Sequence, residues 1–310
     1  MPVARPETAT AAAHAPSVAT PAPALPRTDL LLLAVSIAGI SLSAPLISAT
    51  AAPALAIACW RNIMSVGVLG PYALLRHRAE LRGIGRRALL LAIAAGVLLA
   101  VHFALWMPSL RMTSVASATA LVTTTPLWTI LIMRITGVRP PRLVWLGMCV
   151  AFTGVLVLTG VDLALSSRAL LGDALALGAG LAAAGYMLLG AEVRRTVSTT
   201  AYTLVCYATT AVVLLALCLV TGTRMVGWPA GVWGQIALLM VAAQLLGHSL
   251  SNRVVRTLGP SVTSTAILLE TPGAALIAAV WLGQWPPYAA YPAVAVILLG
   301  LGLVVRGGRQ

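Results

Sequence analysis

No lysine occurs anywhere in the 310 residues, acidic side chains number seven, and charged residues of both signs together make up 9%. A soluble domain carries about 25% charged residues, so this scarcity excludes an ordinary water-soluble globule. Cysteine is equally sparse. Cys59, Cys149, Cys206 and Cys218 all fall in apolar runs without metal-like spacing, which makes them packing residues rather than a zinc or redox set. A glycine-rich phosphate loop is missing, which argues against direct ATP drive. Ionisable residues inside the apolar runs stand singly, with neither paired carboxylates nor His/Asp groups at helical spacing. That pattern weighs against an integral-membrane enzyme acting on a small or lipidic substrate, the alternative reading of such a chain. Neither catalytic residues, nor a metal, nor a cofactor is expected.

What is abundant is apolar: 60% of the chain is hydrophobic. Ten runs of about 20 residues are each long enough to cross a hydrocarbon core. They cover 29–49, 53–74, 88–107, 113–134, 142–160, 170–190, 199–220, 233–253, 260–281 and 288–306. Backbone groups inside lipid must pair within their own segment, so the runs should be helices. The expected fold class is an all-α integral membrane protein with ten transmembrane helices.

The net charge of +13 is a topology signal. Sixteen arginines lie on one side of the threaded chain, among them Arg76, Arg78, Arg82, Arg86 and Arg87 between spans 2 and 3. The other side holds only Arg111, Arg168 and Arg224, and Arg61 falls within span 2. Positive charge stays cytoplasmic, which places both termini inside a bacterial-type plasma membrane and makes nucleic acid an improbable partner. Residues 1–28, rich in Ala, Pro and Thr, read as a disordered cytoplasmic tail, and 307–310 as a short second tail.

The chain also repeats itself. A shift of 146 residues aligns 102–159 with 248–305 without a gap. His102 meets His248, Thr125-Pro126 meets Thr271-Pro272, Gly137 meets Gly283, Pro140-Pro141 meets Pro286-Pro287, and Gly154 meets Gly300. Only ten of fifty-eight positions are identical, but prolines and glycines at fixed intervals mark shared backbone geometry. The halves are then 29–160 and 170–306, with five spans each. Five is odd, so the second half enters the membrane in the opposite sense, giving two inverted five-helix repeats with a solute site near the midplane between them.

Four stretches carry a family resemblance: "PALAIACWRNIMS" on span 2, "ATALVTTTPLWTILI" on span 4, "LLGHSLSNRVVRTL" on span 8 and "STAILLETPGAALIAAVWLGQ" on span 9. They resemble the EamA family of the drug/metabolite transporter superfamily over about 29–306. The resemblance implies ten helices in two repeats that carry small metabolites, often outward. This chain departs from the pattern in two places. The usual Gly-Glu pairs read Gly137-Val138 and Gly283-Gln284, and "SLSAPL" replaces the Trp-Gly signature of span 1.

Glu270 is the first candidate for solute chemistry. It lies about ten residues into span 9, and an acid at a helix centre costs about 2.5–3.5 kcal/mol on insertion scales. It can hold a cationic or amine group or take up a proton; the bland alternative is a structural ion pair. Its counterpart in the first half is Thr124. Arg61 can bind a solute carboxylate or neutralise Glu270 in the empty site; the bland alternatives are snorkelling and a purely structural partner. Pro126 and Pro272 each remove a backbone donor, freeing the carbonyls of Val122 and Leu268 for solute or for hinging. His102 and His248 are gate candidates, against the plainer reading of packing histidines. Trp60, Thr124, Tyr186, Tyr207 and Gln244 are candidates to line the solute cavity, alongside Trp106 and Trp128, against the plainer reading of helix packing. The resulting expectation is a secondary transporter, exporting a small metabolite, amino acid or drug-like solute. Its partners are the lipid bilayer and that solute, with proton coupling and a homodimer left open.

Overall fold

A computed structural model describes residues 27–137, 139–247, 250, 253–254 and 266–307. The tail 1–26 and His248 lie outside the described residues. Everything regular among those described is helical, and no strand occurs. Nine helical segments there are long and apolar enough to cross a membrane, and a tenth apolar helix has 13 residues.

Span 1 is α1 (Arg27–Ser41) followed by α2 (Ser43–Ala49), and span 2 is α3 (Ala54–Arg76). A short α4 (Arg78–Gly83) precedes span 3, α5 (Arg86–Ser109). Span 4 divides into α6 (Val115–Val122) and α7 (Thr125–Ile135), and α8 (Arg142–Leu165) closes the first half. The second half runs α9 (Ser167–Val193), α10 (Thr199–Val220), α11 (Ala230–Leu239), α12 (Glu270–Leu282) and α13 (Ala290–Gly307). A π-helical segment, Met240–Gly247, continues α11.

Local chemistry explains many of the boundaries. The hydroxyls of Ser114, Ser166 and Ser198 each accept from the backbone N–H three residues on, capping α6, α9 and α10. Pro53, Pro141 and Pro229 stand just before α3, α8 and α11, where a missing N–H costs nothing. Spans 4 and 9 both end on a glycine in a positive-φ conformation, Gly137 at 97° and Gly283 at 66°. The glycine therefore has a backbone task at these sites whether or not a carboxylate follows it.

Apolar side chains face outward as well as inward. Leu75, Ile135, Val220 and Val280 are each at least three-quarters exposed, a surface suited to lipid rather than water. Inside, small residues dominate, and they let helix backbones touch. The tightest seam joins α8 to α13. A methyl added at Gly300 would stand 2.6 Å from the Ala151 Cα and the Gly147 carbonyl oxygen. One added at Gly154 would stand 2.7 Å from the Ile297 nitrogen and 2.9 Å from the Ala293 carbonyl oxygen. The 146-residue shift converts one set of contacts into the other.

The same exchange holds for whole spans. Span 3 packs on span 6 as span 8 packs on span 1; span 4 packs on span 6 as span 9 packs on span 1. Span 2 pairs with span 7, 4 with 9, and 5 with 10, each with its own counterpart. The halves are a duplicated unit whose members meet face to face.

On the arginine-rich side, Glu80 of α4 ties the loop between spans 2 and 3 to the one between spans 6 and 7. Its carboxylate accepts from the Ser198 backbone N–H and, at 2.7 Å, from the Ser198 hydroxyl. Those bonds hold the Glu80 carboxyl below the usual carboxylate range.

Candidate functional site

Where spans 1–4 of the first half meet spans 6–10 of the second, the halves enclose a cavity of about 320 Å³. Its wall combines Arg61 and His102 from the first half with Tyr186, Tyr207, Gln244 and Glu270 from the second. This volume sits at the lower end of ligand pockets, which run from about 300 to 1,000 Å³. A larger recess of about 740 Å³ lies among the loops at Glu80, Arg87, Glu192 and Arg195. Its charges are already engaged, Glu192 with Arg195 at 3.2 Å and with Arg87 at 3.8 Å. The central cavity is the better candidate because its guanidinium and its carboxylate are not paired with each other.

Arg61 is almost wholly buried, at 2% exposure. Its Nε donates to Gln244 Oε1 at 2.9 Å, and its guanidinium lies 4.7 Å above the Phe103 ring. Gln244 leans on Asn62 through a long 3.5 Å contact, and Asn62 donates to the Ala58 carbonyl at 2.8 Å. This network fixes one edge of the guanidinium and leaves Nη1 without a hydrogen-bond partner. The expectation that Arg61 neutralises Glu270 in the empty site is therefore corrected: no ion pair joins them, and Gln244 and Phe103 hold the guanidinium instead.

His102 bonds the Ala179 carbonyl through Nδ1 at 3.0 Å, so that nitrogen carries the hydrogen. Its ring stacks on Trp106, 5.7 Å between centroids. Trp106 also lines the cavity, with its indole N–H unpartnered. Two orphaned donors, Arg61 Nη1 and Trp106 Nε1, thus belong to residues that line the cavity, where a solute acceptor would satisfy them.

Glu270 faces the cavity as the first residue of α12, following a turn at Leu268–Leu269. The span is thus broken where the acid stands. The next residue, Thr271, is fully buried and meets Thr123 across the joint, 3.2 Å between hydroxyl oxygens. The breaks of spans 4 and 9 therefore touch.

Pro126 stands in the first turn of α7 and Pro272 in that of α12, at the points where spans 4 and 9 divide. Two expectations need correction. The Val122 carbonyl is not free for solute, because the Thr125 hydroxyl donates to it at 2.8 Å. Trp60 and Thr124 do not line the cavity. Trp60 donates to the Met225 carbonyl at 2.8 Å and packs edge-on to Trp233. Thr124 turns its hydroxyl to the Leu121 carbonyl at 2.6 Å and borders a small crevice with Trp128.

Sequence reasoning passed over Asn62, Phe103 and Thr123. Asn62 had a visible signal, a second polar residue beside Arg61 in an apolar run. It also read the intramembrane acids as solitary, whereas Asp162 and Asp173 come face to face.

The EamA-like transporter family matches the chain twice, over residues 29–160 and 170–306. A solved structure described as "Crystal structure of protein" aligns with 91% of this chain and 99% of that one. Its TM-score is 0.61 at 18% identity, a likeness of fold alone. No curated protein matches the chain significantly.

Proposed function

The chain belongs to the EamA-like transporter family, a family of membrane transporters, and from that premise we propose that it is a secondary transporter exporting a small zwitterionic solute of the amino-acid class. The observation that carries this reading is the central cavity, which presents a guanidinium and a carboxylate not paired with each other. A solute carboxylate accepts from Arg61 Nη1, its ammonium group is held by Glu270, and its apolar part rests against Trp106 and Tyr207. Glu270 exchanges a proton as the solute leaves, coupling export to the proton gradient.

Alternating access follows from the repeat. The reciprocal Gly154 and Gly300 contacts and the exchange of span pairs support a twofold relation between the halves. With five spans in each, that axis lies in the membrane plane, and swapping the two halves' conformations moves the opening from one side to the other. The arginine bias supports cytoplasmic termini and a plasma-membrane location. Cysteines introduced at Arg82 and Arg168 test this orientation: an impermeant thiol reagent applied outside intact cells should label the second only. The reverse pattern would invert the topology.

Transport is tested in proteoliposomes. Solutes with both an amine and a carboxylate should stabilise the purified protein against heat, by about 2.7 kcal/mol at a hundredfold excess over Kd. The same solutes should cross the bilayer chemically unchanged. N-acylated or decarboxylated analogues should do neither. Conversion of the solute would favour the enzyme reading, and stabilisation by singly charged analogues would remove the two-point site.

A further inference from the structure

Beyond the cavity, the turn between spans 5 and 6 holds two acids that the transport route does not use. Asp162 lies three residues before the end of α8 and Asp173 six residues after the start of α9. They are 1% and 0% exposed, and their carboxyl groups face each other. Asp162 Oδ2 accepts a long bond from Thr113 Oγ1 at 3.5 Å, with Ser117 beside it. No donor meets hydrogen-bonding geometry at either oxygen of Asp173, although the Thr113 hydroxyl stands beside it too. Gly172 lets the loop between spans 3 and 4 close over the pair, since a methyl there would stand 2.9 Å from Met112 Cβ and from the Thr113 nitrogen.

Among the described residues no neighbouring cation compensates these acids. Arg111 spends its guanidinium on the Thr50 and Ala52 carbonyls at 2.8 and 2.6 Å, and Arg168 reaches the Arg111 carbonyl at 3.4 Å. On α5, His102 is bonded further along α9 at Ala179. Helix α6 carries no ionisable side chain, Arg134 stands at the far end of α7 and Arg306 at the far end of α13. Tyr288 and Tyr291, at the near end of α13, are exposed. Among the described residues neither acid belongs to an ion pair.

Two ionised carboxylates in contact, without water or a cation, meet both the desolvation cost of each charge and their mutual repulsion. A single proton removes both difficulties. It neutralises one group and turns that carboxyl into a donor for the other, giving Asp173 the partner it lacks. We propose that Asp162 and Asp173 form a proton-binding pair, holding one proton between them at the turn between the two repeats, apart from the solute cavity. Loss of that proton places two like charges in contact and drives the turn away from α6. The pair stands whether or not Glu270 couples transport.

Infrared difference spectroscopy of the full chain at neutral pH tests the pair, with E270Q as background so that Glu270 contributes nothing. One protonated-carboxyl C=O band is expected. It should vanish when D162N and D173N are added together and shift in frequency with T113V, which removes the hydroxyl beside Asp162. Circular dichroism checks the fold of each variant; should the double asparagine variant fail to fold, the T113V shift decides. Absence of the band, or a band indifferent to these substitutions, overturns the proposal. So does sodium-dependent thermal stabilisation that D162N/D173N abolishes, since a metal cation would then hold the pair.

Discussion

Replacing Glu270 with glutamine should abolish proton-coupled flux while insertion and folding persist. Glutamine keeps the length and the hydrogen-bonding capacity of the side chain but can neither carry the charge nor exchange the proton. The acid opens α12 at the cavity wall, so the backbone there is set by the preceding turn and does not need the charge. A hydrogen bond to a charged group contributes about 1.5–3 kcal/mol, so solute affinity should fall roughly tenfold to a hundredfold. The pH gradient should lose its grip on whatever flux remains. Substrate counterflow and a pH-sensitive dye, read on the same vesicles, separate the two effects. Coupled flux at the parent rate in E270Q would remove Glu270 from the mechanism.

The second large effect concerns stability. Gly300→Val inserts a branched side chain where α13 and α8 touch backbone to backbone, with the Ala151 Cα and the Gly147 oxygen 2.6 Å from the first added carbon. Neither obstacle is the movable end of a side chain, so the helices must separate along their length. Overpacking of this kind costs about 1–3 kcal/mol, and a backbone-to-backbone site belongs at the upper end. Gly302 supplies the control on the same helix, because nothing lies within 4 Å of a carbon added there. Gly302→Ala should leave stability unchanged or raise it by up to about 1 kcal/mol through helix propensity. Thermal unfolding in detergent reads both. Equal stability of the two variants would show that the seam is not close-packed.

Much of the architecture is legible in the sequence because a bilayer imposes constraints in one dimension. Span length, arginine placement and the recurrence of prolines and glycines all survive without knowledge of packing. The site was less legible, since which helix face meets the cavity depends on rotation. Adjacent residues on α3 diverge: Arg61 reaches the cavity, while Trp60 is tied to Met225 and Trp233. Thr123 and Thr125 border the cavity, and Thr124 between them does not. The missing amide at Pro126 is visible in the sequence, but the Thr125 hydroxyl that satisfies Val122 depends on a side-chain rotamer. Asp162 and Asp173 stand eleven residues apart on different helices, so only the folded turn makes them neighbours.

The guanidinium of Arg61 rests on an amide and an aromatic ring, leaving the opposing acid unclaimed. If the solute is the zwitterion proposed above, its entry breaks no existing bridge, and each pole of the guest meets a waiting counterpart. A molecule with one pole would strand the unmatched group in a poorly polarisable interior. On that proposal, rejection of half-fitting compounds follows from how the empty chamber is wired.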